Sequence, residues 1–121
     1  MRKICVALSK GGVAKSSTAV SLAHGLALAG KKTLLIDTDD QGQDAFMLGI
    51  NAKVGLADVL NSDLDVSDAM IEARDNLWLL AGGKSLAGVK RMIGRKEYGA
   101  EHTLAEALGP IEGEFDFVII D

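Results

Sequence analysis

The sequence has a single cysteine, no long apolar run and no excess of positive charge. Cys5 cannot form an internal disulfide, and one cysteine offers neither a thiolate metal site nor an iron–sulfur centre. No stretch approaches the roughly 20 apolar residues that a membrane-spanning helix needs. The apolar run after Met1 to Lys3 is too short for a signal peptide. We therefore expect a cytoplasmic protein without a membrane partner, in which Cys5 is a small buried hydrophobe.

The overall charge is acidic, with a formal net charge of -4 at pH 7, and this argues against a surface that binds nucleic acid throughout. Hydrophobic residues make up 48% of the 121 residues, so we expect a single folded domain over residues 1–121. One local basic cluster stands out, and a solvated helical face is favoured there over a contact with DNA phosphates. This cluster comprises Lys84, Lys90, Arg91, Arg95 and Lys96.

Short apolar runs alternate along the chain with helical patterns. Four runs without polar alternation predict strands buried on both faces of a sheet, at residues 4–8, 33–37, 76–82 and 115–121. Helices are predicted over residues 16–29, from about residue 43, in "GLADVL", in "VSDAMIEA" with Ser67 as its cap, and around residues 104–108. The alternation predicts an α/β fold with a mostly parallel sheet between helical layers.

Two further expectations concern single elements. Gly25 lies inside the first predicted helix, where glycine costs up to about 1 kcal/mol relative to alanine, and we expect it to permit close packing on the sheet. The last strand is apolar on both faces and ends at Asp121, so we expect a further connection after it. The sequence is therefore interpreted as the front part of a larger domain.

The segment "SKGGVAKSST" joins the first predicted strand to the first predicted helix. It fits the variant phosphate-loop pattern K-G-G-x-x-K-[ST] from Lys10 to Ser16, whereas Ser9 and Ala14 break the strict G-x-x-x-x-G-K-[ST] pattern. Backbone N–H groups would hold phosphates, Lys15 would contact the β- and γ-phosphates, and the Ser16 hydroxyl would bind Mg²⁺. A glycine-rich turn with solvated lysines is the alternative interpretation.

Acidic residues follow two of the predicted strands. Asp37 and Asp39 come after the second strand, and Asp121 follows "FVII" in the form of a Walker B motif. Ligands of open α/β sheets bind beyond the carboxyl ends of the strands, and an acidic pair there can position a metal or a water. We therefore predict a phosphate and magnesium site with Ser16, Asp37 and Asp121 as metal ligands, against the alternative of an exposed acidic turn.

These motifs resemble the deviant Walker-A ATPases, which include the ParA-type partition proteins and MinD. Gly11, Gly12 and Ser16 fit the family's loop, while Ala14 stands where glycine is common. "DTDDQ" resembles the family's D-x-D-P-Q segment with Asp40 in place of proline, and Gln41 favours ParA over MinD. From the residues alone, Lys10 could serve its own site, serve another subunit's site, or be solvated.

The resemblance implies a P-loop NTPase fold, incomplete relative to the family, that binds ATP and Mg²⁺. It implies that Lys10 reaches a partner's nucleotide in an ATP-bound homodimer and that Asp39 orients the attacking water. The implied partners are nonspecific DNA and a cargo- or centromere-binding protein that stimulates hydrolysis, in the cytoplasm and on the nucleoid. Two alternatives stay open, a relative with ATP-dependent carboxylate chemistry and a truncated, non-catalytic module. The implied catalytic residues are Lys10, Lys15 and Asp39, and the implied nucleotide-binding residues are Lys10, Gly11, Gly12, Val13, Ala14, Lys15, Ser16 and Ser17.

Overall fold

The computed structural model describes residues 2–5, 12–39, 41–61, 63–93, 99–111 and 113–121. Within these ranges, five strands form one sheet in the order β1-β5-β2-β4-β3. Neighbouring strands are parallel except β3, which pairs antiparallel with β4 at one edge. The strands are β1 (Arg2–Cys5), β2 (Thr33–Ile36), β3 (Ile71–Arg74), β4 (Leu77–Leu80) and β5 (Phe117–Ile120).

In the described parts of the chain, six helices and one 3-10 turn (Gly109–Ile111) connect these strands. Helices α1 and α2 cover one face of the sheet, and helices α3 to α6 pack on the other, as the two clusters of buried side chains show. The predicted α/β fold, with helical layers on both faces of a mostly parallel sheet, is therefore confirmed. The helices are α1 (Gly12–Leu28), α2 (Gln43–Leu48), α3 (Leu56–Leu60), α4 (Val66–Ala69), α5 (Ser85–Ile93) and α6 (Gly99–Leu108).

Strand β2 lies in the middle of the sheet and is buried at every position. Leu34 and Ile36 belong to the cluster under α3 to α6, while Leu35 between them packs under α1 and α2. Successive side chains of a strand point to opposite faces, so a strand covered on both faces must be apolar throughout. This is why the uninterrupted run "LLI" predicts a central strand correctly.

Three details of the predicted elements are wrong. The segment "VSDAMIEA" is helical only to Ala69, and it continues as strand β3, because half-buried Ile71 and Ala73 alternate with exposed Glu72 and Arg74 in the period of two that suits an edge strand. Ser67 lies inside α4, whose N-cap position is Asp65 with extended backbone. Gly25 is exposed and a Cβ there would meet nothing within 4 Å, so it permits no close packing.

Helix α1 begins at Gly12, four residues before the predicted start at Ser16. Alanine favours the helix over glycine by about 1 kcal/mol, so Ala14 in place of a loop glycine promotes this earlier start. Residues 6–11, Arg95 and Lys96 lie outside the described residues, as does the side chain of Cys5. In the parts of the chain that the structure describes, no helix combines the length and apolarity needed to cross a membrane.

Candidate functional site

The carboxyl ends of β2 and β5 are joined by backbone hydrogen bonds just beyond the last paired residues. The Asp121 N–H donates to the Ile36 carbonyl at 2.8 Å, and the Thr38 N–H donates to the Asp121 carbonyl at 2.9 Å. The Thr38 hydroxyl donates to the same carbonyl at 2.6 Å. These bonds hold the two aspartates that follow the strands, Asp37 and Asp121, side by side at one edge of the sheet, as parallel pairing requires.

Lys15 reaches this edge from the first turns of α1. Its Nζ lies 2.6 Å from Asp121 Oδ1, and the side chain of Asp121 is fully buried while that of Lys15 is 17% exposed. Burial alone would lower the pKa of Lys15, but the hydrogen bond and charge of Asp121, together with the charges of Asp39 and Asp37, hold this pKa above its ordinary value. Lys15 is therefore a firmly charged ammonium group at the mouth of the site.

Asp37 organises the loop that follows β2. Its Oδ1 accepts a hydrogen bond from the Asp39 N–H at 2.9 Å, and its Oδ2 accepts one from the Asp44 N–H at 3.2 Å. Gly42 has a left-handed backbone, with φ 64°, at the start of α2, and this turn brings Asp44 back to Asp37. The loop therefore folds around the Asp37 carboxylate.

Two glycines after β4 pack against the loop that follows β2. The Gly83 N–H donates to the Asp39 carbonyl at 3.1 Å. A Cβ on Gly82 would lie 2.5 Å from the Asp39 carbonyl oxygen and 2.8 Å from that of Asp37, which is closer than real Cβ atoms approach. Residue 82 must therefore be glycine if the loop is to keep this position.

Three buried carboxylates converge at this edge. Asp37, Asp44 and Asp121 each offer an oxygen atom, and these atoms all lie within 4.8 Å of one another. Burial raises the pKa of Asp44 to about 9, with Asp121 and Asp37 acting in the same direction, and burial also raises the pKa of Asp37. Burial opposes ionisation of Asp121 too, but hydrogen bonds with Asp44 and Lys15 outweigh it and lower the pKa of Asp121. The structure thus brings three carboxyl groups together where water is excluded, and burial holds Asp44 in its protonated, neutral form at pH 7.

Some of the predicted site residues lie close together in the structure, and others lie outside the residues that it describes. Lys15, Ser16, Asp37 and Asp121 meet at this edge, and Asp39 is half-buried in the adjoining loop, whereas Ser17 is exposed. Lys84 and Arg91, from the basic cluster, are also exposed. Lys10 and Gly11 lie outside the described residues, and Gly12, Val13 and Ala14 are described only as backbone in the first turn of α1.

Sequence reasoning missed Asp44, although it closes the polar segment "TDDQGQD". The side chain is fully buried, and among the described residues no donor reaches either of its carboxylate oxygens. A proton on Asp44 would supply a hydrogen bond to Asp121 that two carboxylates cannot form. The signal available in the sequence was an acidic residue in the first turn of a short helix that begins five residues after Thr38.

The donor set at this edge fits a hard divalent cation. Ser16 Oγ is fully buried beside Asp121 and makes no hydrogen bond of good geometry within the described ranges. Hydroxyl and carboxylate oxygens are the ligands that Mg²⁺ takes in proteins. The residues that could hold the cation are therefore Ser16 and the three converging aspartates.

A mostly parallel sheet, a lysine and serine in the first turns of the helix after β1, and acidic residues at adjacent strand ends together define the P-loop NTPase fold of the α/β class. More particularly, the chain belongs to the protein family described as an AAA domain, which matches residues 1–121. The resemblance to ParA-type ATPases drawn from the sequence motifs is confirmed by the relatives.

Two relatives and one solved structure illustrate the similarity. The chain is 34% identical over 120 residues to the maintenance of carboxysome distribution protein A of Synechococcus elongatus, covering 97% of this chain and 47% of that protein. It is 36% identical over 121 residues to the chromosome-partitioning ATPase Soj of Thermus thermophilus, covering 100% of this chain and 45% of that protein. The chain thus spans about half the length of the curated relatives it matches.

The solved structure is cobyrinic acid a,c-diamide synthase from Mycobacterium smegmatis with a bound ATP analog and magnesium. It matches this chain with a TM-score of 0.91 and 37% sequence identity, over 100% of this chain and 50% of that one. The match extends the similarity from partition ATPases to a synthase that shares the fold.

Proposed function

We propose that residues 1–121 form one nucleotide-binding unit of a Mg²⁺-dependent, ParA-type ATPase. The observation that carries this proposal is the ion pair between Lys15 and Asp121, formed at 2.6 Å beside the buried Ser16 hydroxyl. A lysine from the loop and an aspartate from the end of an adjacent strand flank the position where a phosphate would lie against the start of α1. The name of one relative, the chromosome-partitioning ATPase Soj of Thermus thermophilus, agrees with this activity.

In the first proposed step, Lys15 leaves its ion pair with Asp121 and binds the phosphates of ATP. Without a nucleotide its ammonium group is held by Asp121. With ATP bound, the same group would contact the β- and γ-phosphates, because they carry more negative charge than one carboxylate. Mg²⁺, when bound, neutralises phosphate charge, and Ser16, Asp37 and Asp121 would hold it.

The second step is the positioning of water by Asp39. Its loop is fixed by the hydrogen bond from Gly83 and by the close approach of Gly82, and its N–H is held by Asp37. A carboxylate on a fixed loop beside the phosphate site can accept a hydrogen bond from an attacking water and orient it. We assign Lys15 and Asp39 as catalytic residues on this basis, with residues 10–17 as the phosphate-binding segment.

We further propose an ATP-dependent homodimer in which Lys10 acts on the partner's nucleotide. Lys15 already supplies a phosphate contact within each subunit, so a second lysine five residues earlier is redundant there. Two facing copies would each complete the other's site. In this proposal the dimer binds nonspecific DNA, a cargo- or centromere-binding partner stimulates hydrolysis, and the protein acts in the cytoplasm on the nucleoid.

A mixing experiment tests both the activity and the dimer. One population of the intact protein carries Lys10→Ala with Asp39 intact, and the other carries Asp39→Ala with Lys10 intact. In the mixed dimer the subunit with Asp39 receives a lysine from its partner, so ATP hydrolysis should reappear although neither variant is active alone. Mixed dimers without activity would show that Lys10 does not act across the interface, and an inactive wild-type protein would refute the ATPase proposal itself.

A second candidate is ATP-dependent carboxylate chemistry, favoured by the similarity to the cobyrinic acid a,c-diamide synthase. The name of that enzyme describes the conversion of an acid to a diamide. Measuring ATP hydrolysis with DNA, and separately with a carboxylic acid and an ammonia donor, distinguishes the two functions. Stimulation by DNA without product formation supports the partition ATPase, whereas ATP-dependent amide formation supports the synthase.

A further inference from the structure

Asp44 has no part in the proposed ATPase cycle, yet it lies at the centre of the acidic cluster. Its side chain is fully buried on α2, and one of its oxygens lies within 4.8 Å of oxygens from Asp37 and Asp121. No donor among the described residues reaches its carboxylate oxygens. A protonated Asp44 can donate one hydrogen bond to Asp121, but its other oxygen still has no donor among the described residues, and a bound cation would satisfy that oxygen.

If all three carboxylates of the cluster ionise, their charges outnumber the cations that the described residues place beside them. Asp37, Asp44 and Asp121 bring three carboxylates, and within the described ranges Lys15 is the one cation that forms an ion pair with them. With all three ionised, two negative charges remain, which is the charge of one divalent cation. Asp39 lies near enough to act on Lys15 and Asp37, and it adds to the negative potential.

The spacing of the oxygens suits such an ion. Ligands on opposite sides of Mg²⁺ lie about 4.2 Å apart, and those of Ca²⁺ lie about 4.6–5.2 Å apart. Oxygens within 4.8 Å of one another need to move by less than about 1 Å to share one cation of this size. The buried Ser16 hydroxyl beside Asp121, which makes no well-formed hydrogen bond in the described parts of the chain, is a second unsatisfied oxygen facing the same cluster.

Sites that hold Mg²⁺ beside a nucleotide take one or two carboxylates from the protein and further ligands from the phosphates. A third carboxylate would give the cation a protein oxygen ligand in place of one that the phosphates otherwise provide. We propose that Asp44 is a metal ligand that, with Asp37 and Asp121, lets this chain bind one divalent cation before any nucleotide is present. The inference concerns the site of the proposed function, but it requires neither ATP binding nor hydrolysis.

Cation binding at this position also bears on Lys15. A divalent cation shared by Asp121 neutralises the carboxylate that holds the Lys15 ammonium group in the ion pair. Lys15 then becomes available to an incoming phosphate, and the three carboxylates no longer repel that phosphate. The cation should therefore bind first, and without it the cluster should disfavour ATP.

The test is metal binding by the intact, nucleotide-free protein after treatment with a chelator. Titration with MnCl₂ or MgCl₂ alone, followed by calorimetry and by thermal unfolding, should show one cation per chain and a rise in the unfolding midpoint. Asp44→Asn keeps the shape of the side chain and removes its charge, so it should weaken Mn²⁺ binding by about tenfold or more. Asp68→Asn, an equal change of charge on the exposed surface of α4, should leave Mn²⁺ binding unchanged.

Two results would overturn the inference. One is a wild-type protein that neither binds Mn²⁺ nor gains thermal stability in MgCl₂ without nucleotide. The other is an Asp44→Asn variant that folds and binds Mn²⁺ as tightly as the Asp68→Asn control. Repeating the titrations with ATP separates this inference from the proposed function, because binding of ATP with Mg²⁺ but not of Mg²⁺ alone refutes the inference only. Binding of Mg²⁺ alone, without any binding of ATP, refutes the proposed function only.

Discussion

The two ends of strand β2 carry charged residues in opposite ways. At the amino end, the Lys32 N–H donates to Asp116 Oδ2 at 2.8 Å, and the Asp116 N–H donates to the Lys32 carbonyl at the same distance. The Lys32 ammonium group lies 5.1 Å from the ring centroids of both Trp78 and Phe115. Asp116 is exposed. Each charged group at this end has a partner or contact with water.

At the carboxyl end of β2 the charges are buried and incompletely paired. Among the described residues, three carboxyl groups lie together with one lysine, and burial opposes the ionisation of all three. An arrangement of this kind costs stability in the absence of a ligand. The contacts at the amino end stabilise the fold, whereas the unsatisfied groups at the carboxyl end agree with the proposed role of that end as a ligand site.

Substitutions at the two ends of β2 should differ most in their effect on the rate of ATP hydrolysis. Asp39→Ala should slow ATP hydrolysis by about 100-fold while the dissociation constant of ATP changes by less than about threefold, because water positioning is lost and the phosphate cradle is kept. Asp116→Ala at the amino end should hydrolyse ATP normally. Single-turnover hydrolysis measures both variants, and an unaltered rate for Asp39→Ala would remove Asp39 from the mechanism.

A second effect concerns the support of the loop at the carboxyl end. Gly82→Ala places a Cβ 2.5 Å from the Asp39 carbonyl, so it should lower the free energy of unfolding by about 1–3 kcal/mol. Gly25→Ala is the matched control, because its Cβ meets nothing within 4 Å, and it should raise that free energy by up to about 1 kcal/mol. Denaturant unfolding measures both, and equal changes would mean that the backbone approach at Gly82 is unimportant.

A third effect has opposite signs at the two ends of β2. In a chelator at pH 7.5, Asp44→Asn should raise the free energy of unfolding by about 1–2 kcal/mol, because Asp44, whose pKa is raised to about 9, must take up on folding a proton that the unfolded chain has lost at this pH. Asp116→Asn should lower it by at most about 1 kcal/mol, since it weakens the hydrogen bond to the Lys32 N–H. If both substitutions destabilise the cation-free protein, the carboxyl end is not electrostatically strained.

Sequence patterns predict the parts of the molecule in which neighbouring residues determine the structure. The apolar runs identify β2, β4 and β5, and the polar residues after them identify the edge where Asp37 and Asp121 meet. They fail where the chain returns to the site from a distance. Asp44 reaches Asp37 only because Gly42 reverses the backbone with φ 64°, and this turn is not visible in a periodic pattern.

The same limitation explains two further features that the sequence did not predict. Strand β3 forms because β4 offers a free edge, so tertiary pairing decides between helix and strand for "MIEA". The requirement for glycine at position 82 arises from the carbonyl oxygens of Asp37 and Asp39, which belong to a neighbouring strand's loop. Both depend on contacts between segments far apart in the sequence.

Nucleotide binding through Lys15 at the carboxyl end of the sheet can be measured as the equilibrium binding of ATP with Mg²⁺ to the intact protein. Lys15→Ala should raise the dissociation constant of ATP by about 100-fold or more, because the ammonium group that meets the terminal phosphates is lost. Lys32→Ala removes the same charge at the amino end of β2 and should leave the constant within about twofold of wild type. Equal affinities for Lys15→Ala and Lys32→Ala would contradict the account.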